Sequence, residues 1–228
     1  SDTLSHVSLS GVAFGLFLGF SPTISTVIVV IIAAVFLEYL RTVYKDFMEI
    51  GTAILMSTGL ALALVIMKGG GKSSMSLDQY LFGSTLTITD EQVLALFIIA
   101  AIVLVLTILF IRPMYILTFD EDTAYVDGLP VRLMSILFNI VTGVAIALMI
   151  PAAGSLLVST IMVLPASIAL KLGKTFRSVM LLAVVIGFVG MVSGLILSYY
   201  PDTPVSATIT LLFVSFFLLS NLFVKFRK

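Results

Sequence analysis

The sequence has no cysteine at all, and a single histidine, His6. The first absence excludes disulfides, thiolate metal sites and cysteine nucleophiles. The second excludes any site built on several imidazoles of this chain. Charge is scarce too. Only 11% of the 228 residues are Asp, Glu, Lys or Arg, and twelve bases balance twelve acids. A typical soluble domain carries roughly 25% charged residues, and a neutral balance gives no electrostatic footprint for nucleic acid or for a strongly acidic partner. Present in excess is apolar surface: 60% of residues are hydrophobic and the mean hydropathy is +1.24. The surplus runs along the whole chain, so a lone signal peptide or anchor does not account for it. The composition is that of an all-α, polytopic integral membrane protein.

A bilayer core of about 30 Å requires about 20 mainly apolar residues per helix. Eight stretches approach that length, near 4–20, 22–40, 50–67, 93–111, 134–150, 154–170, 178–199 and 204–224. Their unbroken Leu, Ile and Val runs lack the alternation of a membrane barrel strand, and unpaired backbone groups cannot face lipid, so helices are expected. We read residues 1–228 as one transmembrane domain of about eight helices, without fixed-period repeats or low-complexity tracts. The apolar helical pattern begins almost at residue 1, without an initiator Met, which leads us to expect a further segment before it.

If the eight helices alternate, Arg41, Lys45, Arg112, Arg132, Lys171, Lys174, Arg177, Lys225, Arg227 and Lys228 all fall on one side, and only Lys68 and Lys72 on the other. Ten of twelve bases thus agree on one topology, with the C-terminus cytoplasmic. The polar segment from Lys68 to Gln92 is then external, with Tyr80–Phe82 as an interfacial turn. Its Gly71-Lys72-Ser73 ending resembles a phosphate loop, but position 66 is Ile where that loop needs Gly, so no nucleotide site is expected.

Gly11, Gly15 and Gly19 recur every four residues, and Gly187, Gly190 and Gly194 are spaced similarly. Small residues on one face let a neighbouring helix backbone approach closely. Asn139, Ser155, Ser159 and Thr160 are explained by interhelical hydrogen bonds.

Asp2 and His6 stand four residues apart on one helix face. A carboxylate oxygen and an imidazole nitrogen suit a first-row divalent cation such as zinc or manganese. The plain alternative is a helix-end acid beside a hydrogen-bonded histidine. Ser5, Ser8 and Ser10 make this helix start unusually polar, which favours a wet face, and ionisable groups in membrane segments usually face a polar interior. Two ligands are an incomplete set. Glu38 is a third ligand, a gate, or an interfacial acid paired with Arg41 at the i, i+3 spacing.

Two connections on the side of the ten bases are structured. Phe119 to Pro130 carries four acids and ends in Gly128-Leu129-Pro130. Leu164-Pro165-Ala166-Ser167-Ile168-Ala169-Leu170-Lys171-Leu172-Gly173-Lys174 leaves the membrane at a proline, runs as a short amphipathic stretch and stops at Gly173.

Ser1 to Ala13, with its Asp2-Thr3-Leu4-Ser5-His6 run, resembles the opening signature of the zinc/manganese-type ABC transporter permeases. Phe119 to Pro130 and Gly154-Ser155-Leu156-Leu157-Val158-Ser159 through Ala166 resemble that family's internal motifs in the same order, so the likeness spans nearly the whole chain. It implies the membrane subunit of an ATP-driven metal importer in a bacterial plasma membrane. It also implies a permease homodimer, cytoplasmic ABC ATPase subunits, an extracellular metal-binding lipoprotein and no stably bound cofactor. By the same resemblance Asp2 and His6 contact the transported metal, and Ala166, Ser167, Ile168, Ala169, Leu170, Lys171, Leu172 and Gly173 form the helix that couples to the ATPase. Ser10 stands where many members have proline, and members usually carry one more membrane helix before the Asp/His segment. The opening segment is closest to the zinc branch, so zinc is the expected cargo, with manganese or iron the alternatives within the class. The chain is then a transport subunit and not an enzyme. An intramembrane metalloprotease would need a His-Glu-x-x-His run, which one histidine cannot supply. An ion channel or secondary transporter without an ATPase is the rival from another class.

Overall fold

In lipid the backbone must satisfy its own hydrogen bonds, and the computed structural model answers with helices throughout. It describes residues 2–44, 48–69, 77–83, 88–199 and 203–226. Among these there is no strand, and ten helices follow in order. They are α1 (Asp2–Leu18), α2 (Pro22–Val43), α3 (Met48–Gly69), α4 (Leu77–Phe82), α5 (Asp90–Phe119), α6 (Glu121–Val126), α7 (Val131–Ala153), α8 (Ser155–Leu172), α9 (Phe176–Tyr199) and α10 (Val205–Phe226). Seven are long and apolar enough to cross a membrane, and α1 is a shorter apolar helix beside them. These eight match the eight apolar stretches of the sequence.

The ends show the local chemistry. Helix α2 starts with Pro22 in its first turn, where a missing N–H costs nothing. Helix α5 opens on a capping box: the Thr89 hydroxyl accepts from the Gln92 amide, and the Gln92 side chain accepts from the Thr89 amide. It then runs 30 residues through Pro113 to Phe119, well past the sequence expectation of position 111. Pro113 removes one backbone donor without ending the helix, as membrane helices tolerate. The turn expected at Tyr80–Phe82 is the end of α4, and Tyr80 is buried. The phosphate-loop look-alike falls largely outside the described residues.

The chain divides into two compact units. The first comprises residues 1–76 and 86–151, the second 77–85 and 152–228. In the first, α2 and α3 both pack closely against α1. A Cβ on Gly11 would lie 2.5 Å from the Thr26 Cα, and one on Gly15 would lie 2.8 Å from the Pro22 Cα, so only glycine lets α1 and α2 pack backbone to backbone. Gly59 of α3 sits equally close to Val7, and Gly143 of α7 close to Val30 and Leu4. Gly19 is different: it takes a positive φ of 74° in the turn after α1, in open space.

In the second unit Leu157 of α8 packs with Ile209 and Phe213 of α10. The glycine spacing serves here too. Gly190 of α9 lies against the Phe213 ring and Gly194 against Ile209, while Gly187 touches Pro165 more loosely. Thr160 and Thr210 share a hydrogen bond of 3.2 Å between α8 and α10, the interhelical kind expected for Thr160.

Candidate functional site

Helix α1 carries the candidate cargo ligands. Asp2 is its first residue and His6 follows one turn later; the Asp2 side chain lies outside the described residues. His6 is half-buried, on a helix otherwise largely enclosed by protein. The neighbouring serines do not form a wet face. Ser5, Ser8 and Ser10 are 1%, 0% and 2% exposed. Ser8 donates to the Ser5 carbonyl and Ser10 to the Val7 carbonyl, each at 2.6 Å. Hydroxyl side chains that donate back to their own helix keep that hydrogen satisfied when buried, so the polarity of this segment is turned toward protein.

Glu38, near the end of α2, is only 6% exposed. An isolated carboxylate there would be costly, and its neighbours answer that cost. The Ser135 hydroxyl donates to its Oε2 at 2.6 Å and the Asn139 amide to the same oxygen at 3.3 Å. Arg41 stands 3.9 Å from Oε1, and its Nη1 donates to Ser135 Oγ at 2.8 Å. Ser135 therefore receives a hydrogen from the guanidinium and passes its own to the carboxylate. The i, i+3 spacing points to Arg41 and Asn139 makes the interhelical hydrogen bond expected of it, whereas neither its partner Glu38 nor the part played by Ser135 is expected from the sequence. The i, i+4 spacing of Ser135 and Asn139 on one face of α7 is the available signal.

Among the described residues, no group of three or more His, Cys, Asp or Glu side chains comes together as a metal site. The structure thus offers His6 and the backbone position of Asp2 on one helix, and Glu38 engaged with donors on α7.

The segment Ala166–Gly173 is the last part of α8 with its C-cap, and α8 is continuous through Pro165. Ile168 and Ala169 are buried, while Leu170 is 68% exposed. Lys171 is held within the unit: its Nζ donates to Asn221 Oδ1 at 2.5 Å and lies 3.5 Å from the Phe217 ring centre. Gly173 ends the helix as expected, but in an extended conformation, its N–H bonded to the Ala169 carbonyl. The other structured connection contains α6, a separate short helix. Asp120 caps it by accepting from the Thr123 amide at 3.0 Å. Ala124 faces inward, and Tyr125 and Val126 are 75% and 86% exposed.

A many-helix membrane bundle whose most polar helix is enclosed by its neighbours has the build of a transport protein, since polar residues in membrane segments mark pathways and functional sites. The comparisons with known proteins narrow the class. The family model described as ABC 3 transport family matches residues 1–224. The chain belongs to that family, and it is a multi-pass membrane protein of the metal-importer permease type.

It is 29% identical over 219 residues to the high-affinity zinc uptake system membrane protein ZnuB of Haemophilus influenzae, covering 96% of this chain and 84% of the relative. It is 28% identical over 220 residues to the manganese import system permease protein ScaB of Streptococcus parasanguinis, covering 96% and 78%. Among solved structures, PsaBC from Streptococcus pneumoniae in complex with Fab superposes with a TM-score of 0.82 at 27% identity, over 96% of this chain and 79% of the matched chain.

Proposed function

We propose that this chain is the membrane-spanning subunit of an ATP-driven importer that carries a bare divalent transition metal, zinc before manganese or iron, into a bacterial cell. The observation that carries the reading is the position of His6: the chain's one imidazole, half-buried on the helix against which α2 and α3 pack. With Asp2 one turn away it offers a nitrogen and an oxygen donor, and a set this incomplete suits transient holding. A closed four-ligand site would retain zinc, whereas conduction requires binding weak enough to let go. ZnuB relatives favour zinc, and ScaB shows that the same family includes manganese permeases.

On this reading the two units together make one permease domain, the C-terminus is cytoplasmic by the distribution of basic residues, and hydrolysis occurs in a separate ABC ATPase. A second permease copy and an extracellular metal-binding lipoprotein complete the transporter. The transition metal is cargo, so no resident cofactor is invoked.

Two surfaces compete as the ATPase dock. Resemblance assigns Ala166–Gly173, where Leu170 is the most exposed apolar side chain. The exposure of Tyr125 and Val126 on a separate short helix favours α6. Leu170→Ala and Tyr125→Ala, each assayed for ATPase co-purification, separate the two.

The functional test is the zinc, manganese and iron content of cells with and without the gene under chelation. A selective zinc deficit supports the proposal. Unchanged metal content with loss of another solute rejects it.

A further inference from the structure

The buried cluster around Glu38 lies at a telling level of the first unit. Gly11 faces Thr26 and Gly15 faces Pro22, which sets α1 and α2 antiparallel and fixes their register. Continued down the helices, that register places Asp2 level with about position 35 of α2, so Glu38 lies roughly 5 Å beyond Asp2, about one turn. On α7, Gly143 is packed against Val30 and Leu4, and Asn139 and Ser135 follow one and two turns further toward the same end. Two independent helix contacts thus bring Ser135 level with Glu38, just past the candidate cargo ligands, with Asn139 one turn nearer to them. By the placement of basic residues this is the cytoplasmic side.

The chemistry there is unsuited to holding a cation. Ser135 and Asn139 both point hydrogens at Glu38 Oε2, and the Arg41 guanidinium stands 3.9 Å from Oε1. A metal ion would have to displace donors and face a fixed positive charge. The same arrangement is well suited to fastening one helix to another: Glu38 and Arg41 belong to α2, Ser135 and Asn139 to α7, and the bonds of Ser135 to Arg41 and to Glu38 both cross between them.

We propose that Glu38, Arg41, Ser135 and Asn139 form an inner latch that ties α2 to α7 and must part before cargo held at His6 leaves on that side. The latch rests on the reading of His6 as part of a conduction path. Hydrogen bonds between membrane helices are modest, about threefold in an equilibrium each, so a latch of this kind is closed at rest and yet breakable when the bundle rearranges.

The sequence contains no cysteine, which makes single-cysteine labelling direct. Ser5, buried and one turn inside Asp2, is the reporter position. S5C is introduced alone, with E38A and with S135A, and inverted membrane vesicles from cells expressing the chain are exposed to a membrane-impermeant maleimide. V126C, at the 86% exposed position on α6, serves as control. The latch predicts labelling of S5C about three- to tenfold faster in both latch variants, with V126C labelled equally in all backgrounds. Equal S5C rates with and without the latch overturn it. S135A is the milder change and carries the test alone if E38A does not accumulate. Metal uptake by H6A is read separately: wild-type uptake there rejects the metal-conduction reading, whereas equal labelling of S5C rejects only the latch.

Discussion

Helices α1 and α5 belong to the same unit and are built by opposite rules. Helix α1 is 17 residues long, carries three serines, a threonine, a histidine and an acid, and buries most of its side chains, polar ones included. Helix α5 is 30 residues long, almost wholly apolar through its middle, and has no buried residue. In water the apolar helix would be the one inside. In a bilayer the hydrocarbon solvates apolar side chains as well as protein does, so what earns the interior is polarity and smallness. The serines are enclosed, the Ser8 and Ser10 hydroxyls bond to their own helix, and Gly11 and Gly15 let α2 come close to it.

That contrast can be broken from either side. The largest effect is expected for a charge in the middle of α5. Leu104→Arg should cost roughly 3 kcal/mol of insertion free energy, read as a fall in the inserted fraction of this segment in a translocon assay. Overpacking α1 comes next. Gly11→Leu would drive a side chain into the Thr26 backbone, which cannot yield as a flexible side chain does. A loss of about 2 to 3 kcal/mol is expected, seen as a lower unfolding temperature and poor monodispersity in detergent. Glu38→Ala removes a buried carboxylate and leaves Ser135, Asn139 and Arg41 to find new partners. About 2 kcal/mol is expected, measurable in the same thermal assay, with Glu38→Gln milder because it keeps acceptor capacity. The smallest effect is Leu104→Ala, within about 0.5 kcal/mol. A large loss there would mean that α5 packs against protein in the membrane.

Much of this fold could be read from residue order alone, because bilayer thickness fixes helix length and eight apolar runs of that length are visible. What escaped was set by contacts the order does not display. Helix α5 continues past Arg112 and Pro113 because a membrane helix accommodates a proline that would stop many soluble ones. The six-residue α4 escaped because its evidence is the burial of Tyr80, a packing fact. At the site, His6 stood out as the one imidazole, and Arg41 followed from local spacing to Glu38. Ser135 did not, since a serine 97 positions from Glu38 carries no local mark of partnership. The serines of α1 were legible as polar, but which way they face depends on the close packing of α2 at Gly11 and Gly15 and of α3 through Gly59.

The most direct test of the whole account is zinc uptake driven by ATP in membranes carrying the complete transporter, comparing His6→Ala with Ser8→Ala. Both alter α1, one at the half-buried imidazole and one at a fully buried hydroxyl that donates to the Ser5 carbonyl of the same helix. The account predicts uptake at background for His6→Ala and near the unaltered rate for Ser8→Ala. Undiminished uptake by His6→Ala would contradict it.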